Sequence, residues 1–266
     1  MIWTVMGSDG FIGRRLVSEL RSSGESVHTP ARNDENLYQI HLGHVIFAIG
    51  LTSDFRSRPY DTVQAHVCKL IEFFKNANFE SFLYLSSTRV YARSSSGNEE
   101  SQLSVLSSDP SDLYNLSKLL GEAICLQDSR FRIRVARLSN VVGGEDIDSE
   151  NFLPSLVREA RTGCIRLQTT LESAKDYVHI DDVVRLLIFI AKSGQHRIYN
   201  VASGLQTTHQ QWTDQLVKQT GCLVEVTPSA KTLKFPQINI ERVNDEFNFN
   251  PKPPHNFLSE YLTNII

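Results

Sequence analysis

The sequence predicts an α/β fold in which a doubly wound parallel sheet carries helices on both faces. Short apolar segments alternate with longer amphipathic segments through about the first two hundred residues, which is the pattern of βαβ units. A glycine-rich turn at residues 7–13 joins the first predicted strand to the first predicted helix. The 266 residues suffice for one large domain or two small ones with a substantial core.

The predicted strands are short and apolar, and they cover residues 2–6, 26–30, 44–49, 81–86, 132–138 and 197–201. The predicted helices have one apolar face at helical spacing, and they cover residues 11–22, 59–76, 111–126 and 181–192. Residues 31–43 are too few for a helix, a strand and a second helix, so we expect one strand of a six- or seven-stranded sheet to be vestigial. Asp181 would suit the N-cap of the last helix.

The composition argues against several classes of protein. A net charge of −3 without a basic block gives no reason to expect a nucleic-acid or membrane partner. No run approaches the ~18 apolar residues of a membrane span. The four cysteines have neither metal-site nor redox spacing, so we expect reduced thiols and a cytoplasmic protein. His41 and His44 have no third ligand nearby, and we expect no metal.

The glycine-rich turn predicts a dinucleotide site. Gly7 would make the sharp turn, Gly10 would let the backbone approach a pyrophosphate, and Gly13 would let helix and strand pack closely. The anion would then lie at the positive N-terminus of the helix. Further predicted cofactor contacts lie in this turn and at the end of the strand 44–49, and they are Asp9, Phe11, Ile12, Ala48 and Gly50.

The residue type at the end of the second strand indicates whether NAD or NADP binds. A carboxylate there would accept hydrogen bonds from the ribose of NAD, but no carboxylate precedes Asp34. Arg32 is placed to pair with a 2′-phosphate, so NADP(H) is favoured and NAD(H) remains possible.

Tyr114 and Lys118 are four residues apart and would share one face of a helix. A neighbouring cation favours the phenolate and brings a phenol toward the range of useful proton transfer. Ser87 ends the preceding strand, where sheets of this kind bind ligands, and it would hydrogen-bond a substrate carbonyl. We therefore predict that these three residues are catalytic, and that Tyr114 and Lys118 also contact the cofactor.

These residues resemble those of the extended short-chain dehydrogenase/reductases, the NAD(P)-dependent epimerase/dehydratase family. Four further motifs resemble that family, and they lie at residues 85–91, 137–143, 175–182 and 199–204. The resemblance implies a Rossmann sheet with a small C-terminal substrate-binding cap. It also implies that most substrates are nucleotide-sugars, and that a homodimer forms through a four-helix bundle of helices 59–76 and 111–126.

The resemblance implies a role for each matching residue. Tyr114 would be the acid or base, Lys118 would tune it and hold the nicotinamide ribose, and Ser87 would orient the reacting oxygen. Asn140 would contact the diphosphate of the substrate, and Arg242 is a weaker match to a late arginine with the same task.

Four positions depart from the family pattern. Thr88 and Arg89 stand where the dehydratases carry acidic residues, so sugar dehydration is not expected. His66 replaces a frequent Asn, and Lys175 replaces an Arg, which would make one diphosphate contact a point charge rather than a fork. We count Thr88 and Lys175, with Ser87, among the expected substrate contacts.

We therefore expect a dinucleotide-binding domain of residues 1–144 and 176–202 and a substrate-binding cap of residues 145–175 and 203–266. The leading hypothesis is NADPH-dependent reduction of a keto group on a nucleotide-linked sugar. The alternatives are a nucleotide-sugar 4-epimerase with tightly held NAD and a redox-silent NADP-binding regulator. The serine-rich stretch 93–108 is read as a mobile loop near the site, with a solvated insert as the alternative. Arg56 is read as part of a solvated loop, with a contact to substrate or cofactor as the alternative.

Overall fold

The computed structural model describes residues 1–32, 34, 36–51, 54–130, 132–143 and 147–263. Its centre is a six-stranded parallel sheet with the strand order β2-β1-β3-β4-β5-β9. These strands are β1 (Ile2–Met6), β2 (Ser26–His28), β3 (His44–Phe47), β4 (Ser81–Ser87), β5 (Ile133–Leu138) and β9 (Ile198–Val201). The sheet has the doubly wound Rossmann topology that the sequence predicted.

Helices cover both faces of this sheet, because alternate residues of each buried strand point to opposite sides. The helices are α1 (Phe11–Ser22), α2 (Pro59–Val63), α3 (Lys69–Asn76), α4 (Asp112–Gln127) and α6 (Ile180–Ser193). Ile46 and Leu83 share a core with α1 and α6, whereas Phe47 and Phe82 share a second core with α3 and α4.

A smaller second layer has its own core. It contains β6 (Asn140–Val142), β8 (Ala174–His179) and β10 (Gln206–Thr208) in one sheet, and β7 (Cys164–Thr169) and β11 (Leu223–Lys231) in another. Its helices are α5 (Phe152–Arg161), α7 (His209–Thr220) and α9 (Phe257–Thr263). Trp212 and Phe257 are buried in this core.

The layers divide the chain differently from the predicted domains. The boundary at residue 176 falls inside β8, which pairs with β6 and β10 rather than with the central sheet. Helix α8 (Glu241–Phe247) lies in the predicted cap segment, yet its Val243 is buried in the core shared by α1 and α6.

Two segments differ from regular secondary structure. Between β2 and β3 the described residues form a single 3₁₀ turn, Leu37–Gln39, as expected from the shortness of that segment. The helix predicted at 59–76 is divided by a π-helical turn, Gln64–Cys68, which separates α2 from α3. Such turns often occur at functional sites, and this one contains His66.

The expectation that Asp181 caps α6 is wrong. His179 is the N-cap residue, and its Nδ1 accepts a hydrogen bond from the Asp181 backbone N–H at 3.2 Å. Asp181 lies in the first helical turn, where its carboxylate pairs with Arg15 at 2.9 Å. Across the described portions of the chain, no helix has both the length and the apolar character to cross a membrane.

Candidate active site

A cleft of about 540 Å³ opens at the carboxyl ends of β3, β4 and β5, between the central sheet and the second layer. Its volume lies in the range of small-molecule sites. Twelve of the predicted site residues line it, and they are Gly10, Phe11, Ile12, Gly13, Ala48, Gly50, Ser87, Thr88, Tyr114, Lys118, Asn140 and Lys175.

The structure does not bring four predicted site residues to the cleft wall. Gly7 lies behind it and packs against the backbone of Ala48. Asp9 and Arg32 are exposed on the surface. Arg242 donates to the carbonyl oxygen of Ile198 at 2.7 Å and pairs with Glu100.

The glycine-rich turn has the shape that a pyrophosphate cradle requires. Gly7 has a φ of +79°, and a Cβ on Gly13 would lie 2.1 Å from the Gly7 carbonyl oxygen. Gly10 is the N-cap of α1, makes no side-chain cap and is exposed. No acidic residue lies in the first turn of α1. The positive helix end therefore faces open space, so the turn fits a dinucleotide phosphate.

The glycines at positions 10 and 13 should respond differently to alanine. In Gly13→Ala the new methyl group collides with backbone, so we expect the free energy of unfolding to fall by about 1–3 kcal/mol. In Gly10→Ala the nearest atom is 3.4 Å away and φ is −74°, so stability should stay within about 1 kcal/mol. Its methyl group would instead fill the space for phosphate and weaken NADPH binding about tenfold or more.

Urea unfolding and NADPH fluorescence titration of both variants measure these two effects separately. Equal NADPH affinity in wild type and Gly10→Ala would show that no phosphate approaches this turn.

Tyr114, Ser87 and Lys118 meet at the floor of the cleft. Tyr114 is in the first turns of α4, and its ring packs between Phe55 at 5.2 Å and His66 at 5.3 Å. Burial raises the pKa of Tyr114 above its ordinary value, although the Ser87 hydroxyl and the Arg89 charge act in the opposite direction. The phenol is therefore protonated at neutral pH.

Lys118 is buried one turn after Tyr114. Its Nζ donates to the Leu85 carbonyl oxygen at 2.8 Å and lies 5.9 Å from the centre of the Tyr114 ring. Burial lowers the pKa of Lys118 to about 7, and the Glu122 carboxylate opposes this shift. The amine therefore titrates within the neutral range, beside the phenol.

His66 connects α4 to the segment that follows β3. Its Nε2 accepts from the Leu51 backbone N–H at 3.2 Å, and its Nδ1 lies 2.8 Å from the Ser117 hydroxyl. That hydroxyl donates in turn to the Tyr114 carbonyl oxygen at 2.8 Å. Burial and the Lys118 charge lower the pKa of His66 to about 2, so the ring is neutral. The sequence marked His66 as a departure but gave no reason to include it in the site.

The second layer contributes the other wall. Asn140 Nδ2 donates to the Asp176 carbonyl oxygen at 2.7 Å. The Asp176 carboxylate accepts from the Ser139 hydroxyl at 2.6 Å and the Ser203 backbone N–H at 2.9 Å. Burial raises the pKa of Asp176 to about 6, against the effect of these hydrogen bonds. The carboxylate therefore serves to hold strands together.

Three residues that the sequence analysis did not assign to the site also line the cleft. Phe55 is buried, and the guanidinium carbons of Arg56 and Arg89 lie 4.6 and 5.1 Å from its ring centre. Arg56 is exposed, as a solvated loop requires, and it also borders the cleft, as the alternative reading requires. The sequence signal that could have identified this part of the cleft was Arg89, which lies two residues after Ser87 and departs from the family pattern.

The serine-rich stretch is anchored near the cleft more firmly than a mobile loop. The Glu99 carboxylate accepts from the Asn200 backbone N–H at 3.1 Å, and the Gly97 carbonyl oxygen accepts from Asn200 Nδ2 at 2.9 Å. Gly97 also forms a parallel bridge with Ile238, which lines the cleft.

Fold and cleft together define an NAD(P)-dependent enzyme with a Rossmann sheet. The model of the NAD dependent epimerase/dehydratase family matches residues 3–202, so the chain belongs to that family. No curated protein matches the sequence. Among the residues whose placement is described, no three His, Cys, Asp or Glu side chains are grouped to hold a metal.

Solved structures of similar fold include nucleotide-sugar enzymes. MoeE5 in complex with UDP-glucuronic acid and NAD is 19% identical, with a TM-score of 0.83 and full coverage of both chains, 100% each. RMD from Pseudomonas aeruginosa complexed with NADPH is 21% identical, with a TM-score of 0.80 over 99% of this chain and 100% of its own. UDP-glucose 4-epimerase from Thermotoga maritima with UDP-glucose is 18% identical, with a TM-score of 0.77 over 99% of each chain.

Proposed function

We propose that the protein is an NADPH-dependent reductase of a keto group on a nucleotide-linked sugar. The observation that carries this proposal is the buried, protonated Tyr114 phenol beside Ser87 and Lys118, in a cleft whose other end is the glycine cradle. A ketone becomes a secondary alcohol when its carbon receives a hydride and its oxygen receives a proton. The protonated phenol is the form that can donate that proton.

Bound NADPH would supply the hydride, and the chain's own residues would do the rest. The Ser87 hydroxyl would orient the ketone oxygen against the Tyr114 hydroxyl. Lys118, protonated below its pKa of about 7, would stabilise the phenolate that remains after proton transfer. Asn140 and Lys175 would hold the diphosphate of the substrate, on the wall formed by the second layer.

The site argues for reduction or epimerisation over dehydration. Loss of water needs a base beside the reacting carbon, and Thr88 and Arg89 occupy that part of the cleft. An epimerase would use the same Tyr114 and Lys118 but would retain NAD between turnovers. The nearby carboxylate of Asp176 is committed to Ser139 and Ser203 and is not free to act as that base.

Preference for NADP(H) is part of the proposal and depends on Arg32. Arg32 follows β2 and is exposed. The carboxylate of Asp34, two residues later, lies 3.6 Å from Nε2 of His28. We expect NADPH to bind at least about tenfold more tightly than NADH, a difference of about 1.4 kcal/mol.

Arg32→Ser should remove most of this preference, whereas Arg21→Ser, which changes an exposed arginine of α1, should leave it unchanged. Fluorescence titration of nucleotide-stripped protein with both cofactors measures the ratio. Tightly retained NAD(H), or a preference for NADH in the wild type, would instead favour the 4-epimerase. An unchanged ratio in Arg32→Ser would show that Arg32 does not bind the 2′-phosphate.

We also propose a cytoplasmic homodimer. All four cysteines are free thiols, which suits a reducing compartment. Tyr60, Ile71 and Leu120 lie on α2, α3 and α4 with 89%, 38% and 50% of their surfaces exposed. Exposed apolar side chains on these helices support pairing through a four-helix bundle.

A further inference from the structure

Part of the cleft wall carries positive charge without a matching carboxylate. Arg56, Arg89 and Lys175 all line it. Arg56 hydrogen-bonds the Ser111 hydroxyl at 3.2 Å, and Lys175 Nζ lies 5.8 Å from the centre of the Phe235 ring. In the part of the chain that the structure describes, none of the three cations forms an ion pair.

The carboxylates near these cations are already occupied. Asp176 holds Ser139 and Ser203. Glu150 also lines the cleft, but it is 78% exposed and pairs with Arg158 at 3.2 Å. The Asp112 carboxylate raises the pKa of Arg89 from a distance, but it forms its ion pair with Arg93, at 2.8 Å. No carboxylate among the described residues therefore pairs directly with these cations, although the charges of Asp112 and Asp109 favour protonated Arg89 from a distance.

Burial shifts the pKa values of two of these cations downward. Burial lowers the pKa of Arg89 below its ordinary value, and the Arg56 charge lowers it further. Burial also lowers the pKa of Lys175 to about 8, with additional contributions from Arg89 and Arg56. Both shifts have the direction expected for cations that are partly removed from water, and a bound anion would oppose both of them.

Arg89 has an unused donor. Its Nε is buried and has no hydrogen-bond partner among the described residues, and its Nη2 makes a long contact of 3.5 Å to the Ser111 carbonyl oxygen. A buried N–H group without a partner costs free energy and calls for an explanation, such as a ligand that is absent here. The Nε edge of a guanidinium matches the two oxygens of a carboxylate.

The position of Arg89 places such a carboxylate next to the chemistry. Its backbone N–H donates to the Ser87 hydroxyl oxygen at 3.2 Å, and its guanidinium carbon lies 5.9 Å from the centre of the Tyr114 ring. Phe55 lies between the Arg56 and Arg89 guanidinium groups and supports both. An anion bound here would lie within a few bonds of the ketone carbon whose oxygen receives the Tyr114 proton.

We propose that Arg89, assisted by Arg56, forms a carboxylate subsite beside the reacting carbon, and that the sugar of the substrate is an acid, a nucleotide-linked hexuronate. This inference rests on the proposed function and narrows its substrate class. It gives Arg89 a role in specificity at the place where a dehydratase would carry an acid.

Matched ligand pairs test the subsite by binding, without any need for turnover. Isothermal titration calorimetry compares UDP-glucuronic acid with UDP-glucose, and GDP-mannuronic acid with GDP-mannose, in the presence of NADP⁺. Within a pair the nucleotide and diphosphate are constant, and one carboxylate replaces one hydroxymethyl group. We expect the wild type to bind the hexuronate of at least one pair about tenfold more tightly or better, about 1.4 kcal/mol.

Arg89→Gln should reduce that ratio to within about threefold of unity while hexose binding changes little. Arg166→Gln, which changes a largely exposed arginine of β7, is the matched control and should retain the wild-type ratio. Because the Arg89 Nε is desolvated without a hydrogen-bond partner, Arg89→Met should fold with an unchanged or higher Tm. A structural role for Arg89 would lower that Tm instead.

Three outcomes would overturn the subsite: equal affinity for both members of each pair, no binding of any hexuronate, or an equal loss for both members in Arg89→Gln. The last would show that Arg89 contacts the diphosphate. NADPH titration of the same samples reports on the proposed function separately, so that failure of the cofactor site and failure of the subsite are distinguishable.

Discussion

Tyr114→Phe is expected to lower kcat by about 10²–10⁴-fold, the usual contribution of a general acid. The change removes one hydroxyl group and keeps the ring, which packs against Phe55 at 5.2 Å and His66 at 5.3 Å. The fold and the glycine cradle should therefore be unaffected, and the Kd for NADPH should change by less than about threefold. Steady-state turnover of a ketosugar and fluorescence titration measure the two effects.

Tyr60→Phe is the matched control, because Tyr60 is 89% exposed and lies outside the cleft lining. Its kcat should equal that of the wild type. Full activity in Tyr114→Phe would refute the assignment of the proton donor, and a parallel loss of NADPH binding would show that the hydroxyl holds the cofactor rather than the substrate.

Arg137→Met is expected to lower the free energy of unfolding by about 3–5 kcal/mol, because it leaves a buried carboxylate without its partner. Arg137 and Glu122 are 4% and 3% exposed, and their nearest atoms are 2.7 Å apart. Burial alone would lower the pKa of Arg137, but the Glu122 carboxylate raises it above its ordinary value. Glu122 also accepts a hydrogen bond from Ser86 at 2.5 Å, one residue before Ser87, which we predict to be catalytic.

Urea unfolding provides the measurement, and an exposed pair provides the control. Arg166 and Glu225 are 3.4 Å apart with exposures of 72% and 61%, so Arg166→Met should cost less than about 1 kcal/mol. A similar small loss in Arg137→Met would mean that water or a rearranged side chain reaches Glu122. The double variant Glu122→Met, Arg137→Met should lose less than the two single variants combined.

The central sheet was predictable because its strands are buried on both faces and read as short apolar runs. The strands at 44–47 and 81–87 show this clearly, since Phe47 and Phe82 face one core while Ile46 and Leu83 face the other. The second layer was harder to predict. Its β6 and β10 are three residues long, and β11 alternates weakly because most of its residues are exposed.

Predictions from local sequence patterns also failed where a tertiary contact determines the structure of a helix or of its cap. A π-helical turn around His66 divides the helix at 59–76, and that histidine bonds Leu51 and Ser117 from elsewhere in the chain. His179 rather than Asp181 caps α6, and the Asp181 carboxylate instead forms an ion pair with Arg15. Neither interaction leaves a periodic trace in the sequence.

The lining of the cleft was predictable where a motif sets particular residues in order, since Gly10, Gly13, Tyr114 and Lys118 all line it. It was not predictable where side chains meet across layers. Phe55 and Arg56 follow a strand in an unremarkable loop, and only the fold shows that they border the cleft beside Arg89. Arg242 shows the converse, since a motif match placed it in the site and Glu100 holds it elsewhere.

The anchors of the serine-rich stretch have a consequence for how the protein matures on the ribosome. Gly97 and Glu99 bond Asn200, which is about one hundred positions later, and Gly97 bridges to Ile238. At ~5–20 residues per second, the partners of this stretch emerge several seconds after it does. Until residues 200 and 238 have been synthesised, the N-terminal part of the chain therefore lacks these contacts, and this wall of the cleft cannot form.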